Sequence, residues 1–303
     1  MTTHSILITG GTGFLGSALV ARLAGQGCSI YVMSRDADKV RRKFGQAIHA
    51  VTGIEQLPDA GEFKAVVNLA GAGIFDRRWS AARKLELRNS RIKLTEQLAD
   101  WLVNSSAPPK VLVSGSAIGI YGDQGDNWLD ENSESCADFA QRLCADWEAA
   151  ALRAQNTTRV CLIRTGLVLG VGGGLLQRML LPFRMGFGGA LGDGGQWMSW
   201  IHIEDWLSIV EAMINNDEMR GAYNAVAPNP ATNREFSSTL AKVLQRPMLL
   251  PLPAGLLKIL LGEMAALVLG SQRAAPQRLL VQDFRFQYPE LEAALRQILD
   301  KNG

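Results

Sequence analysis

The sequence predicts an α/β protein built on a doubly wound parallel sheet, with a smaller, mainly helical C-terminal part. Three observations carry this. Short β-rich runs alternate with helical patterns through the first 165 or so residues, the signature of a parallel sheet with crossover helices. Several of those runs are apolar throughout, as strands covered on both faces must be. And Gly10, Gly13 and Gly16 stand three apart where the first strand gives way to the first helix.

In chain order, "SILIT" opens the sheet and "FLGSALVARLAGQG" is the first helical pattern. "SIYVMS", "QAIHAV", "AVVNLA", "KVLVSG" and "RVCLIRT" are the further strand runs, with the long helical stretch "ARKLELRNSRIKLTEQLADWLVNS" among them. From Gly170 the texture changes to glycine-rich loops, "GVGGG" and "GFGGALGDGG", around an apolar helix. "WIHIEDWLSIVEAMI" returns to strand-then-helix and "GAYNAV" reads as another strand. The tail from Asn229 reads as helices punctuated by prolines.

Composition bounds the function. The 303 residues are 47% hydrophobic and 20% charged, a globular balance. A net charge of +2 offers no electrostatic footprint for nucleic acid. The apolar run from Leu250 to Gly270 is interrupted by prolines, Lys258 and Glu263, which favours a buried or interfacial helix over a membrane span. The N-terminus shows no basic leader with a cleavage site. Four cysteines without a CxxC pair, and only three histidines, point to reduced thiols in a cytoplasmic protein with no metal site.

The glycine spacing has a physical reading. Gly10 lets the chain turn tightly off the strand, Gly13 lets backbone N–H groups approach a pyrophosphate, and Gly16 lets the helix pack closely on the sheet. The helix N-terminus then offers open donors and a positive dipole end to phosphates. The bland alternative is a tight strand-to-helix turn with no ligand. At the end of the second strand stand Ser34 and Arg35, where NAD-binding folds place a carboxylate for the ribose hydroxyl. A hydroxyl and a guanidinium suit a 2′-phosphate, so NADP(H) is expected. Asp36 and Asp38 stand close by and keep the NAD alternative open.

Together "TGGTGFLG", "NLAG", "SGSAIGIYG", "RTGLVLG" and "WIHIEDW" make the chain resemble the extended short-chain dehydrogenase/reductase superfamily of nucleotide-sugar epimerases and dehydratases. "RRW" after "NLAG", "DWEAA" and the tail "LLGEMAALVLGSQRAAPQRLL" make it similar to an atypical epimerase-family branch. The resemblance implies a Rossmann domain over residues 1–169, with 197–227 returning to it. Residues 170–196 and 228–303 would form the substrate side. It implies bound NADP(H), with Gly10, Thr12, Gly13, Phe14 and Leu15 as the phosphate loop and Ser34 and Arg35 at the 2′-phosphate. It further places Leu69 and Ala70 on the adenosine side, Glu86 and Arg91 toward the cofactor and Val168 near the nicotinamide. For Arg91 a solvated helix face is the plain alternative.

One pattern of the superfamily breaks. Its enzymes carry Tyr-x-x-x-Lys on one helix face, where the ammonium lowers the phenol pKa. Aligned on "WEAA", Phe139 or Ala140 falls at the tyrosine and Leu143 or Cys144 at the lysine. Ser116, at the superfamily's catalytic serine position, and Tyr121 are the substitute catalytic candidates. His202 is a titratable candidate, or a structural histidine. Arg184 is a candidate clamp for an anionic substrate, and Trp197 and Trp200 candidate walls of the crevice, with core packing the alternative for at least one tryptophan. The reading is an NADP(H)-dependent oxidoreductase or epimerase-like enzyme acting on a small molecule. A non-catalytic NADP(H)-binding regulator or redox sensor is the alternative, and a simple scaffold would need no phosphate loop.

Overall fold

The computed structural model describes residues 5–248 and 251–300. Leu250 of the apolar run, and residues 1–4 and 301–303 of the two expected regions, lie outside them. The first half of the chain runs β1 (Ser5–Thr9), α1 (Phe14–Gly25), β2 (Ser29–Met33), α2 (Ala37–Phe44), β3 (His49–Val51), β4 (Phe63–Asn68), α3 (Ala81–Val103), β5 (Val111–Ala117), β6 (Trp128–Leu129) and α4 (Phe139–Leu152). Then follow β7 (Arg159–Thr165), β8 (Leu167–Leu169), α5 (Gly174–Arg184), β9 (Trp197–Met198), β10 (Trp200–His202), α6 (Ile203–Asn215), β11 (Gly221–Ala225), β12 (Ala231–Thr232) and α7 (Asn233–Val243). The tail adds α8 (Ala254–Leu261), α9 (Ala266–Leu269), β13 (Arg273–Ala274), α10 (Gln277–Val281) and α11 (Leu291–Asp300).

Seven strands form one parallel sheet in the order β11-β7-β5-β4-β1-β2-β3. This is the doubly wound α/β fold that the apolar strand runs predict. Alternation along β1 sends Ile6 and Ile8 into a core with α1 and α6, and Leu7 into another with α3 and α4. The strand order reverses between β1 and β4, which opens a crevice at their carboxyl ends.

A separate apolar core joins α5, α7 and α11 around Phe183, Phe236, Leu240 and Leu295. Residues 197–227 divide between the two. α6 packs its Trp206 and Val210 into the sheet core, and β11 is the sheet's edge strand. β10 instead pairs with β8 outside the large sheet, and Trp200 lies in the second core. The apolar run breaks into α8, a turn and α9; among the described residues no helix is long and apolar enough to cross a membrane.

Candidate functional site

The glycine turn sits at the crevice. Gly10 has a positive φ of 69°, and a Cβ there would lie 2.6 Å from the Leu69 carbonyl oxygen, so only glycine turns here this close to the neighbouring strand end. A Cβ on Gly16 would strike the Gly10 carbonyl, which brings α1 tight against the turn. Gly13 is the N-cap of α1, exposed and without a side chain to cap the helix. Its own N–H is used on Gly10 O at 3.0 Å. No acidic residue sits in the first turn of α1, so the N–H donors there have no carboxylate to satisfy them. Thr12 holds Lys43 of α2 through its carbonyl, at 3.1 Å. Phe14 packs its ring against Gly170, Gly173 and Gly174, and Leu15 packs against the sheet core.

The end of β2 resolves which charges are available. Asp36 is the N-cap of α2, accepting from Lys39 N at 2.9 Å, and it faces Arg42 at 3.7 Å. Asp38 pairs with Arg41 at 2.9 Å. Both carboxylates are therefore turned onto α2. Ser34 accepts from Asp36 N at 3.3 Å, and Arg35 is exposed with no hydrogen bond or ion pair among the described residues. Glu86, exposed on α3, pairs with Arg83 at 2.7 Å. The hydrogen bond from Arg83, and then the positive charges of Arg83, Arg77 and Arg35, hold its carboxyl below the usual range. Glu86 and Arg35 thus feel each other's field.

The floor of the crevice is a buried polar chain. Thr9 Oγ1 donates to Asn68 Oδ1 at 2.7 Å and accepts from Ala70 N at 3.2 Å, fixing the backbone of Leu69 and Ala70 beside β1. Arg91 spends its guanidinium on the carbonyls of Leu87 and Ala72, at 3.1 and 3.0 Å, and lies 5.3 Å over the Trp147 ring. It is neither a solvated face nor a free cation: it clamps the loop after β4, and burial lowers its pKa. Val168 is buried in β8, paired with Ile201.

The structure draws the two catalytic candidates into one place. Both were expected to offer hydroxyls to the crevice, and both are consumed by one buried network. Ser116 Oγ donates to Glu148 Oε1 at 2.6 Å. Glu148 also receives Nε and Nη2 of Arg164, both at 2.9 Å. Arg164 Nη1 donates to the Tyr121 hydroxyl at 3.1 Å, and that hydroxyl donates to Asn224 Oδ1 at 2.7 Å. Tyr121 is 1% exposed. Burial raises its pKa, with Arg164 opposing, which makes it a poor acid or base near neutrality. Burial alone would lower the pKa of Arg164, but the hydrogen bonds and charge of Glu148 raise it above the ordinary value. Asn224 N in turn donates to Glu131 Oε1 at 2.9 Å, and burial raises the Glu131 carboxyl. Glu148, Arg164, Asn224 and Glu131 were missed in the sequence. The available signal was a charge inside an apolar run, Arg164 in "RVCLIRT" and Glu148 on the buried face of α4. Cys144, on that same face, has its thiol pushed up to about 12 by burial and then by the Glu148 charge.

Tyr121→Phe therefore reads the network directly. It should cost about 1–3 kcal/mol of stability, because the Asn224 oxygen and an Arg164 N–H lose their buried partner. Urea unfolding measures this. Unchanged stability together with lost turnover would restore a proton-donor role.

On the other side, His202 and Trp200 take the structural alternatives, a histidine that supports the fold and a core tryptophan. His202 is 1% exposed and caps α6: its Nδ1 accepts from Glu204 N at 3.1 Å. Nε2 then carries the proton and donates to Gln297 Oε1 at 2.9 Å, and the ring lies on Tyr288. Trp200 is fully buried, with Nε1 donating to Asn229 O at 3.0 Å. Trp197 is half-buried, donating to Asp126 at 2.9 Å, and Arg273 stacks between its ring and that of Trp128. Arg184 is exposed at the end of α5.

This fold, with a glycine-turned, side-chain-free helix N-terminus at the switch point of the sheet, defines a Rossmann-type α/β protein. None of its four tyrosines, Tyr31, Tyr121, Tyr223 and Tyr288, has a lysine four residues on. Residues 6–225 match the NAD dependent epimerase/dehydratase family, and residues 252–298 match a domain of unknown function, DUF1731. The chain belongs to that epimerase/dehydratase family. It is 40% identical to the chloroplastic epimerase family protein SDR39U1 homolog of Arabidopsis thaliana, over 97% of this chain and 86% of that protein. It is 35% identical to the epimerase family protein YfhF of Bacillus subtilis, over 97% of this chain and 98% of the relative. Among solved structures, the human epimerase family protein SDR39U1 with NADPH superposes with a TM-score of 0.89 at 35% identity, over 98% of this chain and 99% of that one.

Proposed function

We propose that this chain binds NADP(H) in the crevice and is an oxidoreductase or epimerase-like enzyme working without a Tyr-x-x-x-Lys pair on a small-molecule substrate. One observation carries the cofactor choice. Asp36 and Asp38 are spent on α2 while Arg35 stands open beside Ser34. Neither aspartate is left there to prefer a ribose hydroxyl or to repel a 2′-phosphate. The residues fit the group: Gly13 leaves room at the uncapped N-terminus of α1 for a pyrophosphate, and Leu69 and Ala70 line the opposite strand end. Glu86 is assigned to the same cofactor, Val168 to its nicotinamide end, and Arg91 supports it through the loop it clamps. The likeness to a human protein crystallised with NADPH supports the reading.

When bound, the cofactor supplies hydride chemistry, and the protein supplies orientation and electrostatics. Arg184 and Trp197 remain the substrate-side candidates, at the rim that α5 and β9 form. All four cysteines are unbonded, which suits a reducing compartment; we place the chain in the cytoplasm on that ground.

NADPH should bind at least tenfold tighter than NADH, about 1.4 kcal/mol or more, and Arg35→Ala should erase the preference. Calorimetry with both cofactors decides. Equal affinities in the wild type would reject the 2′-phosphate assignment.

A second reading, a non-catalytic NADP(H)-binding regulator or redox sensor, is favoured by the locked hydroxyls of Ser116 and Tyr121. Steady NADPH oxidation across a carbonyl panel would establish the enzyme; tight binding with no turnover on any of them would favour the regulator.

A further inference from the structure

Two exposed apolar stripes flank residues 76–78. On α5, Arg178 faces Asp76 at 3.4 Å, and Leu181 and Met185 follow it at helical spacing on the same side. Leu181 is 65% exposed, and Phe187 just beyond the helix is 71% exposed. On α8, Arg78 donates to the Ile259 carbonyl at 3.1 Å. Leu256, Ile259 and Leu260 lie one turn apart on one face of α8, and Ile259 is 72% exposed. A backbone pairing joins the two segments: Leu252 N donates to Ala190 O at 2.8 Å and Gly192 N to Leu252 O at 2.9 Å. Large apolar side chains this exposed, on two segments joined through their backbones, mark an interaction surface rather than scattered surface residues.

The charges around this surface point to one occupant. Arg78, Arg184 and Lys258 are exposed and have no carboxylate partner among the described residues. Of the nearby carboxylates, Asp76 pairs with Arg83 and Arg178 and Glu263 with Lys84, while Asp193 accepts only the N–H of Gly195 and keeps its charge, which leaves three cations against one anion. A second copy docked by the same face would bring one net positive face against another. An anionic lipid surface would take the apolar side chains into its acyl boundary and the cations at its headgroups.

We propose that α8 and the C-terminal end of α5 form a peripheral docking face for anionic membranes, beside the glycine-rich mouth of the crevice. This goes beyond the NADP(H) reading and does not depend on it.

Flotation of the full chain tests it, with phosphatidylcholine vesicles and with vesicles also carrying phosphatidylglycerol. The chain should float with the anionic vesicles and be released as salt rises. Ile259→Glu combined with Phe187→Glu should weaken binding by roughly tenfold or more. Lys258→Ala combined with Arg78→Ala should weaken it on anionic vesicles only. Both pairs are exposed, so unchanged thermal unfolding and NADPH titration serve as controls for the fold. Absence of flotation by the wild type, or flotation that ignores both pairs of substitutions, overturns the proposal. So does a doubling of mass in solution that Ile259→Glu abolishes, which would give the face to a second copy.

Discussion

Glu148→Ala is expected to destabilise the fold by about 3–5 kcal/mol, the range for removing one partner of a buried ion pair. Glu148 and Arg164 have side chains only 10% and 12% exposed, and the pair is made through two parallel hydrogen bonds. Truncation leaves a guanidinium in the interior facing no carboxylate, and it frees Ser116 Oγ from its acceptor. The cost is that of stranding a buried charge and does not measure the net worth of the pair. Glu148→Leu with Arg164→Met, which removes both charges and keeps much of the volume, should therefore recover a large part of the loss. Urea denaturation of the three proteins measures it. A loss under about 1 kcal/mol for Glu148→Ala would mean that water reaches Arg164.

The fold was legible because burial on both faces leaves a mark along the chain. "KVLVSG" and "AVVNLA" are apolar without alternation, and they are β5 and β4 at the centre of the sheet. The glycine spacing was legible because each position answers a local steric demand, a turn at Gly10 and a close helix at Gly16. Pairings across the sheet were not. Tyr121 and Asn224 are 103 residues apart and meet only because β5 and β11 flank β7. A tyrosine or serine beside a nicotinamide end looks the same in sequence whether its hydroxyl faces solvent or a buried arginine. His202 and Trp200 each kept a structural alternative for a related reason, since residue type says what a side chain can do and not which way it turns. Asp36 was more accessible: an Asp immediately before a helical run is a strong N-cap signal, and Asp36 does cap α2.

Gly13→Val should abolish measurable NADPH binding, with at least a hundredfold loss of affinity or about 2.7 kcal/mol, while the protein stays folded. The three glycines of the turn differ in what a side chain would meet. At Gly10 the positive φ and the Leu69 carbonyl forbid one, and at Gly16 the Gly10 carbonyl does; substitution there should break the fold. Gly13 has φ −75° and ψ −180°, an extended conformation open to any residue. A Cβ there would meet only the Gly10 carbonyl oxygen, at 3.2 Å. The rest of a valine would project from the N-cap into the open space over the first turn of α1, where a pyrophosphate must approach the N–H groups. The fold should lose only about 1 kcal/mol, because valine is a poorer N-cap than glycine. Calorimetric titration with NADPH, beside thermal unfolding of the same sample, separates the two effects. A folded Gly13→Val protein that binds NADPH as the wild type does would show that the phosphates lie elsewhere. A Gly13→Val protein as unstable as a Gly16 variant would show instead that the middle glycine position is a packing requirement and no part of a phosphate cradle.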